Sequence, residues 1–262
     1  IATSNADLFV ANYIIPTYTS DDSAQVVTMA TDGELFGHHQ VFRDKFLSHL
    51  INGSVHSAGI TLVNPASYLR NHSSLSIAQI RENTSWSCHH GINRWHDECG
   101  CTPGATWKKP LRLWMNSVAQ EIDRQCQRCF EPLGIDLYHS MESYDRVLSK
   151  RISITGWMDS WINPQISENE RTKIALLFSS QEYRYRMYTS CGWFFNEFDR
   201  IEPKNCITNA AYAIFLVENA LGVSLARKYA EMLSSIESED QKRIGQTVFL
   251  QAYERFQHEK IS

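Results

Sequence analysis

Two carboxylates and two histidines crowd one short segment of this chain. Residues 25–29 form a short apolar run with β-branched side chains, which predicts a buried strand, and Asp32, Glu34, His38 and His39 follow it directly. The carboxyl ends of strands are where α/β proteins place their chemistry. A carboxylate beside imidazoles at such a position can act as a general acid in the cleavage of an acetal or an ester. The alternative is that Asp32 is an N-capping residue in a solvated loop.

A second concentration of reactive side chains lies between residues 84 and 101. It contains Cys88, Cys99 and Cys101 among three histidines and two tryptophans, and a further thiol, Cys191, comes at the predicted end of a helix. Four thiols from two segments could form a tetrahedral zinc site or hold an iron–sulfur cluster. We therefore predict that these four cysteines converge and bind a metal. The alternative is a set of buried, reduced thiols beneath a loop that indoles pack.

Several tryptophans are candidates for contact with a sugar. An indole face stacks well on the apolar face of a pyranose, and Trp86 and Trp107 are the residues that we assign to substrate binding. The alternative for each is an ordinary place in the core, where most large aromatic residues are found.

Composition restricts the class of protein. The chain has 262 residues, of which 43% are apolar, and a formal net charge of −4. That charge gives no electrostatic reason to expect nucleic acid or an anionic membrane as a partner. The longest apolar stretch, residues 210–217, is too short to span a bilayer. The amino end lacks the pattern of a signal peptide, so we expect a cytoplasmic protein with reduced cysteines.

The pattern of apolar residues divides the chain into two parts. Residues 1–72 alternate between predicted strands, at 25–30 and 59–63, and predicted helices, which is typical of a parallel sheet with crossover helices. Pro65 is predicted to open a short helix in the first part. Residues 73–262 are almost entirely helical in pattern. The signals in this second part are an apolar stripe of Leu111, Trp114, Val118, Ile122 and Cys129, a capping box at Ser167 and Glu170, an apolar helix that Gly222 stops, and a helix start at residues 238–241. The predicted fold class is therefore α/β followed by mainly α: a partial parallel β/α barrel sheet, then a C-terminal helical bundle.

Three segments in series resemble glycoside hydrolase family 57, in its branch of α-amylase/α-mannosidase-like proteins with a helical C-terminal region. They read Ala-Thr-Asp-Gly-Glu-Leu-Phe-Gly-His-His at residues 30–39, Thr-Ser-Trp-Ser-Cys at 84–88 continuing to Cys-Gly-Cys at 99–101, and Tyr-Thr-Ser-Cys-Gly-Trp-Phe-Phe at 188–195. Their order and approximate spacing fit that family, and the resemblance covers about residues 25–221.

The resemblance implies a retaining glycosidase or glucanotransferase that acts on α-glucans or oligosaccharides through an incomplete barrel. It assigns the general acid/base role to Asp32 and places Glu34, His38 and the adjacent His39 at the sugar pocket. Retention of configuration also needs a second carboxylate as nucleophile, about 5–5.5 Å from the first.

The chain departs from the family at this nucleophile. About 24 residues precede the predicted strand, and they contain no glutamate. We therefore expect that the amino-terminal half of the barrel is missing, that the chain alone is inactive, and that a complementing segment or subunit binds it. The alternative, from a different class, is a non-catalytic helical metal-binding or assembly module. Burial of Asp32 beside aromatic residues would favour the acid, and full exposure would favour the module.

Overall fold

The computed structural model describes residues 2–20, 24–38, 40–73, 76–236 and 244–259. The chain divides into two compact units, Ile1–Ile80 and Arg81–Ser262. None of the described helices combines the length and the apolar character needed to cross a membrane.

The first unit consists of short helices around a small core. Its helices are α1 (Ala6–Phe9), α2 (Arg43–His49), α3 (Val55–Ser57) and α4 (Pro65–Asn71), with π-helical turns at Val10–Ile14 and Leu50–Ser54. Asn5 caps α1 through its side chain, and Pro65 opens α4 as predicted. The core is made by Ala6, Val10, Ile14, Phe46, Leu50 and Val55.

The predicted partial β/α barrel sheet is wrong. In the described part of the chain there is no β-strand, and the two β-bridges found, Phe36 with Gln40 and Cys99 with Thr102, are isolated. Residues 24–32 and 60–64 have no regular secondary structure, and Val26 and Met29 are about half exposed. A strand exists only through hydrogen bonds to a neighbour, and no segment that the structure describes pairs with these residues. The first unit is therefore helical and irregular, and the protein is mainly α.

The second unit is a helical bundle, and its longest helices coincide with helical patterns in the sequence. Its helices are α5 (Lys108–Phe130), α6 (Leu137–Met141), α7 (Asp145–Leu148), α8 (Ile154–Asp159), α9 (Glu168–Arg186), α10 (Ile201–Leu221), α11 (Ala226–Leu233) and α12 (Ile244–Glu259). The apolar helix α10 lies against α9 and α12 and also contacts α5 and α11. Its central position explains why its sequence is apolar on most faces.

Local signals set the ends of these helices. The predicted capping box at the start of α9 is confirmed, because Ser167 and Glu170 satisfy each other's backbone N–H groups. Gly222 ends α10 in the left-handed conformation, as predicted. The predicted apolar stripe of α5 is also confirmed, since Leu111, Trp114, Val118 and Ile122 are buried. The predicted start of the last helix, residues 238–241, lies outside the described residues.

Candidate metal centre

Three cysteines and one histidine meet in the loop before α5. The Cys88 sulfur lies 3.6 Å from the Cys99 sulfur and 3.8 Å from the Cys101 sulfur. The His90 Nδ1 atom lies 3.8 Å from the sulfur of Cys88, 3.3 Å from that of Cys99 and 3.4 Å from that of Cys101. All four ligand atoms fall within 4.8 Å of one another.

These five spacings match five of the six edges of one coordination tetrahedron, and the sixth, between the sulfurs of Cys99 and Cys101, is at most 4.8 Å. Metal–sulfur bonds of about 2.3 Å and metal–nitrogen bonds of about 2.0–2.1 Å place two sulfurs about 3.8 Å apart, and a sulfur and a nitrogen about 3.5 Å apart. The sulfurs are too far apart for a disulfide, whose S–S bond is about 2.05 Å. The group of four side chains can therefore bind a metal ion.

Two glycines let the loop close around this group. Gly91 has a φ of +73°, and a Cβ atom there would lie 2.6 Å from the carbonyl oxygen of Asn83. Gly100 lies so close to His90 that an added Cβ would sit 3.3 Å from the ring Cε1. The backbone N–H of Thr102 donates to the carbonyl of Cys99 at 2.7 Å, which holds the two later cysteines in a tight turn. The loop therefore needs glycine at position 91 and a small residue at position 100.

The electrostatics of the group favour a thiolate at Cys88. Burial alone raises the pKa of its thiol, but hydrogen bonds from the His90 backbone and ring and from the neighbouring thiols outweigh it and lower the pKa to about 7. Burial and the adjacent Cys88 raise the pKa of Cys101, although the Arg94 side chain donates to it. Because the thiolate is the form that binds metals, Cys88 is already poised as a ligand.

A buried lysine lies next to residues 88–101, the loop that carries these four side chains and is called the ligand loop below. Lys108 is fully buried, and its ammonium donates to the Thr102 hydroxyl at 3.1 Å. Burial and then the nearby Arg94 guanidinium lower the pKa of Lys108 to about 8, while Cys99 and Cys88 act in the opposite direction. The four ligand side chains therefore lie beside two positively charged side chains, those of Lys108 and Arg94.

The same loop is tied to the helical bundle by aromatic residues. Trp107 stacks on Trp193 with ring centroids 6.0 Å apart and contacts Phe198 in a tilted arrangement at 5.1 Å. Its indole N–H donates to the Asn196 carbonyl. Arg112 donates to the Trp95 carbonyl at 3.2 Å and lies over the Trp193 ring. The end of the loop and the turn at Ser190–Trp193 are consequently packed together.

The structure brings together three of the four cysteines that the sequence singles out. Cys191 is not in the group: it is exposed in the Ser190–Trp193 turn, next to Cys206 of α10. His90 takes the fourth position. The Cys88-x-His90 spacing was a usable signal, because it repeats the Cys99-x-Cys101 spacing in an irregular segment.

The described residues that were predicted to bind substrate are either exposed at the surface or, in one case, buried in the core of the bundle. Asp32 is exposed at the N-cap position of a 3₁₀ turn, Gly33–Leu35, and Glu34 and His38 are exposed beside it. His39 lies outside the described residues. Trp86 is 86% exposed, whereas Trp107 is 4% exposed and forms part of the bundle core.

The fold and the site together define a mainly helical protein with a Cys₃His group that can hold a metal ion. Residues 105–259, more than half of the chain, match a family described as a domain of unknown function, DUF3536, and the chain belongs to that family. The match begins just after the last cysteine of the ligand loop. No curated protein and no solved structure matches the chain.

Proposed function

We propose that Cys88, His90, Cys99 and Cys101 bind a structural zinc ion, and that this chain is a non-catalytic, metal-stabilised helical module. The observation that carries the proposal is the agreement of five sulfur–sulfur and sulfur–nitrogen distances, 3.3–3.8 Å, with five of the six edges of a single tetrahedron. Four protein ligands would close the coordination shell and leave no position for a substrate, as in structural sites.

Zinc suits this donor set better than an iron–sulfur cluster does. The ligands of a cluster bind several different iron atoms and are spread accordingly, whereas all four atoms here lie within 4.8 Å of one another. A Cys₃His set is a common structural zinc site. The bound ion would order residues 88–101 and fix them to the start of α5. All seven cysteines are free, which suits a reducing compartment, and we propose the cytoplasm.

The matched variants Cys99→Ser and Cys191→Ser test this proposal. Elemental analysis of anaerobically purified protein is expected to find about one zinc per chain in the wild type and in Cys191→Ser, and none in Cys99→Ser. A chelator should lower the melting temperature of the wild type and leave that of Cys99→Ser unchanged. Four free thiols at positions 88, 99, 101 and 191, with no bound zinc or iron, would refute the proposal.

A second candidate is a part in the cleavage of α-glucans, with Asp32 as general acid/base. The motif at residues 30–39 favours it, and the family of the helical domain is associated with glycoside hydrolase family 57 N-terminal-like proteins. Against it, Asp32 is exposed in a short turn, the environment that we expect for the module. A general acid gains from an enclosed, desolvated position.

Turnover by the purified chain would favour the glycosidase candidate, whereas an inactive chain agrees with the module and also with a barrel that lacks its nucleophile. We expect the purified chain to be inactive on soluble starch and maltooligosaccharides, with or without the substitution Asp32→Asn. Turnover that Asp32→Asn abolishes would establish the glycosidase role and contradict the module.

We also propose that a complementing segment binds the first unit, where Val26, Met29 and Ile77 expose large apolar side chains. Light scattering that shows only monomer at high protein concentration would argue against an exposed apolar binding surface of this kind.

A further inference from the structure

Lys108 occupies an unusual position for a charged residue. It is the first residue of α5 and has no exposed surface. Its ammonium donates to the Thr102 hydroxyl, in the residue that follows Cys101, and lies 5.8 Å from the centroid of the Trp107 ring. A buried ammonium is stable only where other groups offset its charge.

The usual sources of that offset are missing around Lys108. The N-terminus of a helix carries partial positive charge, so α5 itself disfavours a cation there. Among the described residues no carboxylate forms an ion pair with Lys108, whereas the exposed neighbour Lys109 pairs with Asp97 at 3.0 Å. The charged groups that act on Lys108 are the guanidinium of Arg94 and the sulfurs of Cys99 and Cys88.

A zinc ion held by three thiolates and a neutral imidazole leaves one net negative charge on the group. We propose that Lys108 is a buried counter-ion of this centre, a positioning residue that, together with the Arg94 side chain, offsets the negative charge of the zinc–thiolate group and is oriented by Thr102. The inference rests on the zinc site proposed above. It accounts for a buried cation at the positive end of a helix, since the anionic centre supplies the compensation that no carboxylate gives.

The counter-ion role has two opposite consequences. In the zinc-bound protein, removal of the ammonium takes away the fully buried member of the two cations beside the anionic group and leaves only the Arg94 side chain, which donates to Cys101. In the zinc-free protein below about pH 7, where the Cys88 thiol is protonated, the ammonium has no carboxylate partner among the described residues, and its removal relieves the fold. A lysine that only packs against its neighbours would stabilise both forms alike. The sign of the effect on the zinc-free protein therefore separates the two roles.

The substitution Lys108→Met, which keeps the length and removes the charge, tests the proposal against Lys109→Met as control. Competition with a chromophoric chelator should show zinc binding weakened roughly 10- to 100-fold in Lys108→Met and unchanged in Lys109→Met. The urea midpoint of the zinc-free protein should stay the same or rise. In the Co²⁺-substituted protein, the sulfur-to-metal charge-transfer band should move to lower energy, because the thiolates lose a neighbouring cation.

The outcomes separate this inference from the proposal on which it rests. A wild type that binds no zinc refutes the metal site itself. A wild type that binds zinc, with Lys108→Met binding it equally well or losing stability equally in both forms, refutes only the counter-ion. If Lys108→Met does not fold, Thr102→Val removes the group that orients the ammonium and keeps the shape. That variant should weaken zinc binding and shift the same Co²⁺ band, and an unchanged affinity and spectrum would overturn the inference.

Discussion

Replacement of Gly91 by alanine should disrupt the ligand loop more than the same change at Gly104. Both glycines lie in or beside the loop and have positive φ angles, +73° and +81°. They differ in what an added methyl group would meet. At Gly91 the new Cβ would lie 2.6 Å from the Asn83 carbonyl oxygen, whereas at Gly104 it would meet nothing within 4 Å. The pair therefore separates backbone strain from collision.

The expected magnitude follows from these two contributions. An L-residue in the left-handed region costs roughly 1–2 kcal/mol, and both variants carry that penalty. At Gly91 the methyl group and the carbonyl must also separate by about 0.8 Å to reach the ordinary contact distance of 3.4 Å. Overpacking of this kind costs roughly 1–3 kcal/mol. Asn83 is itself held at a φ of +58°, which limits how far it can yield.

The penalty should appear as weaker metal binding, because the metal-free loop is free to relax. At 1.4 kcal/mol for each factor of ten, Gly91→Ala should bind zinc roughly 5- to 150-fold more weakly than Gly104→Ala does. Chelator competition measures the two affinities, and the melting temperatures of the zinc-loaded proteins check their order. Equal affinities in the two variants would refute the assignment of Gly91 to the close approach to Asn83.

Three further predictions concern the helical bundle. In Gly192→Ala the added methyl group would collide with the Cys206 sulfur, so the free energy of unfolding should fall by roughly 1–3 kcal/mol. The double variant with Cys206→Ala should recover most of this loss. Additive losses of the two substitutions in urea unfolding would contradict the prediction. Burial raises the pKa of Tyr144 to about 12 from its ordinary value of 10, so its neutral hydroxyl contributes stability that is complete below about pH 10 and is lost as the pH rises toward 12. Tyr144→Phe should therefore flatten the fall of the urea midpoint in that range, and an unaltered slope would argue against it. Arg184→Met should cost roughly 1.5–3 kcal/mol in thermal or urea unfolding, because Arg184 makes two charged hydrogen bonds, 3.1 and 2.6 Å long, to the mostly buried Asp123; a loss below 0.5 kcal/mol, on the order expected for a surface pair, would count against it.

The sequence by itself determined the long helices α5, α9 and α10 of the second unit. Ser167 and Glu170 are three residues apart, and each satisfies a backbone donor of the other, so the start of α9 depends on contacts within one turn. Gly222 ends α10 because it adopts a positive φ at little cost. The spacing of Leu111, Trp114 and Val118 defines one face of α5 whatever packs against it. Interactions of this range are readable without a tertiary structure.

The strands could not be settled in this way. The apolar run at residues 25–29 is compatible with a strand, but a strand also needs a partner whose position is not written locally. In the described residues no partner pairs with it, and the segment is irregular with Val26 half exposed. The surroundings of Asp32 depended on that same sheet. The apolar pattern at residues 25–29 therefore could not predict whether the Asp32 carboxylate lies in a pocket.

The Cys₃His group depends both on local spacing, which the sequence shows, and on long-range packing, which it does not. The Cys99-x-Cys101 spacing puts two thiols in one turn, and the turn that Gly91 permits brings Cys88 and His90 to them. The choice of the fourth ligand was tertiary. Gly192 packs directly against Cys206 of α10, and that contact fixes the neighbouring Cys191 at the surface of the turn, outside the group. Local spacing decided which side chains share a loop, and long-range packing decided which of the remaining thiols could reach it.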